Sequence, residues 1–223
     1  MLTIGIDDAG RGPVIGPMAL AGCLVDEKIE QELKNLGVKD SKQVTPKNRE
    51  VLAEKIKSQA LAFEIVLAFP IEITEKNKAG VNLNTIEAQK SAAIINKLNK
   101  GKEKIKVYID CPSPNLKAWQ NTVESYVENL DNLEIHCEHK ADVNHVSCSA
   151  ASILAKTTRD AEIVKIRKMV GVDFGSGYPS DPVTCKFLKE NAEKHKNDGI
   201  FRETWSTWKK VCGEKKQKSL KEF

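Results

Sequence analysis

Four aspartates stand where a chain tends to place groups that do chemistry. Asp7 and Asp8 follow a short apolar run, Asp110 ends "VYID", and Asp142 lies in "EHKAD". Carboxylates a few ångströms apart in a low dielectric cannot all ionise, so acids that converge need cations among them. Oxygen ligands without histidine or cysteine suit magnesium or manganese better than zinc. Two such ions, about 3.5–4 Å apart, serve in-line phosphoryl displacement: one prepares the attacking water and the other stabilises the leaving oxygen. The chemistry indicated is phosphodiester hydrolysis. Taken singly, each aspartate also fits a cap at a strand end or helix start, and Asp142, just ahead of a helix, fits one most easily.

The loop after the first pair reads "AGRGPVIGP". Its glycines fall as G-x-G-x-x-x-G with prolines intruding, and two acids precede them where a pyrophosphate would be repelled, so a dinucleotide fingerprint is excluded. A phosphate loop of the Gly-Lys-Ser/Thr type is absent.

The elements that must position these residues can be read from periodicity. Residues 2–7 and 17–25 read as two strands joined by the glycine-rich turn, and 61–69 as a third. Thr45 and Pro46 open a helix with apolar residues at 51, 52 and 56. Asn84 with Glu87 reads as a capping box for a helix to about residue 99. Strands follow at 104–110, stopped by Cys111-Pro112, and at 133–139. A helix spans 146–170 with Gly171 as its C-cap, and another lies near 183–196. This order predicts an α/β sheet of mixed direction flanked by helices. The expected organisation is a core over 1–170, a C-terminal helical segment over 171–212 and a tail over 213–223.

The 223 residues suffice for one large body, and 40% apolar with 30% charged residues is a globular composition. No apolar run is long enough for a membrane span, and the amino terminus lacks an export signal, so a cytoplasmic protein is expected. The six cysteines include no C-x-x-C pair and are expected to be reduced thiols. A net charge of +4 permits an anionic partner without identifying one. The four histidines lack ligand-like spacing, with His139 at most orienting its neighbours, and Trp205 and Trp208 are expected to pack the C-terminal helix.

Together "GIDDAGRGPVIGP", "KDSK" (39–42), "VYID", "EHKAD", "SAASILAK" (149–156) and "GSGYPSDP" (175–182) resemble the type 2 ribonucleases H, ribonuclease HII, in an archaeal-like form. The resemblance implies a ribonuclease H-like fold and an endoribonuclease that cuts the RNA of RNA–DNA hybrids and nicks DNA 5' of embedded ribonucleotides. It places Asp7, Asp8, Asp110 and Asp142 as ligands of two Mg2+ or Mn2+ ions, and Gly10, Arg11 and Gly12 as the loop that senses the ribose 2'-hydroxyl. Tyr178 takes the residue that stacks on the following deoxyribose, and Lys39, Ser41, Lys42, Lys140 and Lys156 become phosphate contacts. Only glycine lets a backbone approach a ribose closely, and the 2'-OH is what separates RNA from DNA. One letter departs from the family pattern: its usual second acid is glutamate, and Asp8 is shorter by a methylene, about 1.5 Å of reach. The competing expectation is therefore a clamp-tethered hybrid binder that has lost catalysis.

The ending "EKKQKSLKEF" sets Gln217, Leu220 and Phe223 as Q-x-x-L-x-x-F, which resembles the box by which repair proteins bind the sliding clamp. A helical turn would put Leu220 and Phe223 on one face as an anchor pair. The default oligomeric expectation is a monomer.

Overall fold

The computed structural model describes residues 1–38 and 44–211. Lys39, Ser41, Lys42, Gln217, Leu220 and Phe223 lie outside the described residues.

Five strands form one mixed sheet in the order β3-β2-β1-β4-β5: β1 Leu2–Ala9, β2 Met18–Asp26, β3 Ala62–Ala68, β4 Ile105–Asp110 and β5 Leu133–Glu138. β1 and β2 pair antiparallel from Leu2↔Asp26 to Ala9↔Ala19, whereas β4 runs parallel to β1 and β5 parallel to β4. Parallel strands share a polarity, so the carboxyl ends of β1, β4 and β5 lie along one edge, and functional groups gather at such edges. β2 is buried along eight of its nine residues, as a central strand covered on both faces must be.

The helices are α1 Glu27–Asn35, α2 Pro46–Gln59, α3 Pro70–Lys78, α4 Leu83–Leu98, α5 Leu116–Glu124, α6 Ala141–Asn144, α7 Val146–Val170 and α8 Pro182–Asn191, with a last turn of helix at 206–211. Thr45 caps α2 as its sequence indicates, and α2 buries Leu52, Ala53 and Ile56 while Val51 faces solvent. The cap of α4 is a correction: Asn82, not Asn84, accepts the Thr85 N–H, and Asn84 sits inside the first turn. Gly171 ends α7 with φ +70°, a conformation that favours glycine.

The chain gathers into two compact units that interleave in sequence. The first comprises Met1–Ala9, Ala19–Leu67 and Asn82–Arg159; the second comprises Gly10–Met18, Ala68–Val81 and the chain from Asp160 onward. The boundary expected at residue 170 followed a helix end, whereas the packing divides α7 itself after Arg159. In the first unit, successive residues of β1 point to opposite faces. Gly22 lies against Ile94 and Leu98 of α4, beside Ile6. Gly5 lies on the other face, where a Cβ would fall inside the backbone of Ser147 and Cys148 at the start of α7. On that face Ala21, Cys23 and Val25 pack with Ala150, Ala151 and Leu154 of α7 and with Leu52 and Ile56 of α2. The second unit has its own core, built on Val14, Ile15, Phe174, Phe187, Phe201 and Trp208.

Candidate active site

Strand period explains why Asp7 is buried. It lies two residues beyond Gly5 on the face that meets α7, and is only 6% exposed. Its Oδ1 accepts the Asp8 N–H at 2.7 Å, and the Ser152 side chain of α7 hydrogen-bonds its carboxyl. Burial pushes the Asp7 carboxyl well above the usual carboxylate range, Asp8 and then Asp110 push it further, and the Ser152 and Asp8 hydrogen bonds offset only part of this.

Asp110 ends β4, and its Oδ1 accepts the Ala141 N–H at 3.0 Å, which ties the start of α6 to the strand end. The chain enters α6 through Lys140, an exposed residue at φ +61°. Asp142 is then buried in α6, its backbone carbonyl accepting the Ser149 hydroxyl at 2.6 Å. The Cys148 thiol reports the convergence of these acids: burial raises its pKa well above the ordinary value, and Asp7, Asp110 and Asp142 each raise it further. Its sulfur donates to the Tyr108 carbonyl at 3.2 Å. Asp7, Asp110 and Asp142 thus surround Cys148 in the first unit, and Asp8 follows Asp7 in β1 with its N–H on the Asp7 carboxyl.

Among the described residues, no three side chains of His, Cys, Asp and Glu already stand as a ligand set. The donors nevertheless fit a hard divalent cation. They are carboxylates, and their mutual repulsion, visible in the shift of Asp7, is what a cation would relieve.

Lys156 is half-buried on α7, one turn beyond Ser152. The histidines have other partners: His139 Nδ1 lies 3.1 Å from the Cys111 carbonyl, and His195 Nδ1 lies 2.7 Å from Asp198. His145 and His136 stack on Tyr108, with ring centroids 3.7 and 5.2 Å away. The His145 ring also lies 3.1 Å from Glu138, the register partner of Asp110. The five cysteines among the described residues are free thiols, and burial pushes Cys23 and Cys137 up to about 12.

In the second unit the structure brings Gly12 and Tyr178 together: a Cβ on Gly12 would sit 3.2 Å from the Tyr178 ring. The Val14 N–H donates to the Gly177 carbonyl at 2.8 Å, and Tyr178 keeps 41% of its surface exposed. Trp208 packs against Phe201 as expected of a core tryptophan, with centroids 4.5 Å apart. Trp205 packs on the same core and in addition donates its indole N–H to the Gly12 carbonyl. Sequence reading also missed Ser152, Cys148 and Arg202. For Ser152 a signal existed, since Ser149, Ser152 and Lys156 share helical spacing within "SAASILAK".

A mixed sheet whose antiparallel β1–β2 pair is followed by parallel β4 and β5, with acids at the ends of β1 and β4, defines a ribonuclease H-like nuclease. The family model "Ribonuclease HII" matches residues 4–208. A ribonuclease HII from Methanocaldococcus jannaschii is 40% identical over 99% of both chains. The crystal structure of ribonuclease H2 from Pyrococcus horikoshii superposes with a TM-score of 0.84 at 38% identity, covering 95% of this chain and 97% of that one. A structure of the PCNA:RNase HII complex from Archaeoglobus fulgidus matches with a TM-score of 0.81 at 35% identity, over 94% and 96% of the respective chains. The chain belongs to the ribonuclease HII family, and it is an endoribonuclease that hydrolyses RNA in RNA–DNA hybrids. These likenesses do not favour a hybrid binder without catalysis.

Proposed function

We propose that the protein incises duplex DNA on the 5' side of an embedded ribonucleotide, as well as the RNA strand of longer hybrids, leaving 3'-hydroxyl and 5'-phosphate ends. The observation that carries this reading is the buried Asp7 at the end of β1, its Oδ1 accepting the Asp8 N–H, with Asp110 at the end of the neighbouring parallel strand β4 tied to the start of α6. In this reading Asp7, Asp8, Asp110 and Asp142 hold two Mg2+ or Mn2+ ions. Bound there, such ions supply an activated water and charge relief for the leaving 3'-oxygen. Ser152 fixes the Asp7 carboxyl, and the Ala141 N–H fixes that of Asp110.

Gly10, Arg11 and Gly12 read the ribose 2'-OH through backbone groups, and the exposed ring of Tyr178 beside Gly12 stacks on the following deoxyribose. Lys39, Ser41, Lys42, Lys140 and Lys156 contact backbone phosphates, which position a duplex without reading its sequence. Gln217, Leu220 and Phe223 bind the sliding clamp, a reading supported by the relative crystallised with PCNA. The protein works in the cytoplasm as a monomer. No helix among the described residues is long and apolar enough to cross a membrane.

The test is incision of a DNA duplex carrying one ribonucleotide, in magnesium and separately in manganese, with Asp7→Asn alongside. The expected result is a single nick 5' of the ribonucleotide that the variant fails to make. Tight binding without a nick in either metal would overturn the reading.

A further inference from the structure

The carbonyls of the Gly-Arg-Gly loop are held from one side. Arg202 is fully buried, and its guanidinium holds two of them, Nη2 donating to Gly10 O at 2.6 Å and Nη1 to Arg11 O at 2.7 Å, while Nε donates to Gly16 O further along at 3.0 Å. The indole N–H of Trp205 takes the remaining one, Gly12 O, at 3.1 Å. The guanidinium lies over the Trp205 ring, 5.1 Å from its centroid, and the Trp205 N–H donates to the Arg202 carbonyl. The segment carrying both side chains is itself tied down. The Arg202 N–H donates to Val14 O, Glu203 pairs with Lys78, and Thr204 accepts from Asn77 of α3.

A peptide unit is planar and trans, so its N–H points opposite to its C=O. Pinning the carbonyls of Gly10 and Arg11 therefore directs the N–H groups of Arg11 and Gly12 away from Arg202. The Gly12 carbonyl is followed by Pro13, which has no N–H, so the Trp205 bond fixes only the orientation of that peptide plane. A loop with φ +83° at Gly10 and +87° at Gly16 has little stiffness of its own. From these contacts we infer that Arg202 and Trp205 are positioning residues that orient the loop amides for recognition of a ribose 2'-hydroxyl. This rests on the reading of the loop proposed above.

Discrimination suffers first when such a clasp loosens. A single embedded ribonucleotide offers one 2'-OH and one productive register, whereas a continuous hybrid offers many. The experiment measures kcat and KM on both substrates for Trp205→Phe, which keeps the ring and removes the donor, and for Arg202→Lys, which keeps the charge and loses the three-way fan. Gly12→Ala serves as the direct probe of the loop, because its Cβ would crowd the Tyr178 ring. Losing one hydrogen bond should lower the single-ribonucleotide to hybrid ratio of kcat/KM about fivefold in Trp205→Phe. Arg202→Lys should lower it further. A ratio unchanged in Trp205→Phe, or equal losses on both substrates, while Gly12→Ala shifts the ratio, overturns the positioning role alone. A ratio insensitive to Gly12→Ala as well overturns the reading of the loop. If Arg202→Lys fails to fold, Trp205→Phe decides.

Discussion

Asp7 carries a cost that its position imposes. A carboxyl raised by burial and by two neighbouring acids favours its neutral form in the metal-free fold. Asp7→Asn should therefore stabilise the metal-free protein at neutral pH, because the amide has no charge to bury beside Asp8 and Asp110. In thermal melts this appears as a midpoint above that of the parent. The same change should abolish incision while weakening the stabilisation that added Mg2+ or Mn2+ confers. A variant melting below the parent in metal-free buffer would count against the electrostatic account. Asp8 sets a second expectation. With about 1.5 Å less reach than a glutamate, it should leave the Mn2+ rate above the Mg2+ rate at saturation, and Asp8→Glu should close the gap. Equal rates of the parent in the two ions would refute this. At this scale the aspartates are legible because an acid interrupting an apolar run stands out in any alphabet of residues. Ser152 and Arg202 are not, since a serine in a helix and an arginine near the end of a chain mean nothing until packing shows what they touch.

Elements carry the acids to their places through contacts that glycine alone permits. The start of α7 comes so close to β1 that Gly5→Ala would drive a methyl group into the Ser147–Cys148 backbone. Backbone cannot swing aside as a side chain can, so the expected loss is about 3 kcal/mol, read as a lower midpoint in denaturant titration. A midpoint within error of the parent would show that α7 gives way. Asp181, the N-cap of α8, offers a pH test. The Ser176 amide, the Ser176 hydroxyl and the Val183 amide hold its carboxyl down to about 2, from an ordinary 3.8. A depressed carboxyl stabilises the fold fully above its ordinary value, and that contribution is lost as pH falls through about 2. An NMR titration should place the Asp181 midpoint well below that of an exposed aspartate, and Asp181→Asn should flatten this part of the acid limb. Caps such as Thr45 and Gly171 were readable because their chemistry is local. The cap of α4 was misplaced by two residues because Asn82 and Asn84 both offer an amide, and only backbone geometry selects between them. Helices α1, α3 and α5, each nine residues long, are shorter than the roughly eleven or more residues over which a helical period can be read, so the sequence left them out.

At the scale of the whole molecule, the tail and the catalytic body have separable tasks in the proposed function. Removing residues 213–223 should abolish binding to a sliding clamp, measured by fluorescence anisotropy, and leave incision of a short duplex within about twofold of the parent, as expected of a tethering module. Clamp binding that survives truncation would move the contact elsewhere. By itself the sequence determined the family and the mixed α/β sheet, and it singled out four candidate acids, because these rest on short-range letters: strand periodicity, strand-end carboxylates and motifs a few residues long. Tertiary structure alone decided that Gly10–Met18 and Ala68–Val81 pack in one unit with the chain beyond Asp160. It alone placed Arg202 and Trp205 on carbonyls nearly two hundred residues earlier. Hydrogen bonds between segments so far apart leave no period or spacing in the chain, since what selects them is the geometry of groups that meet only after folding.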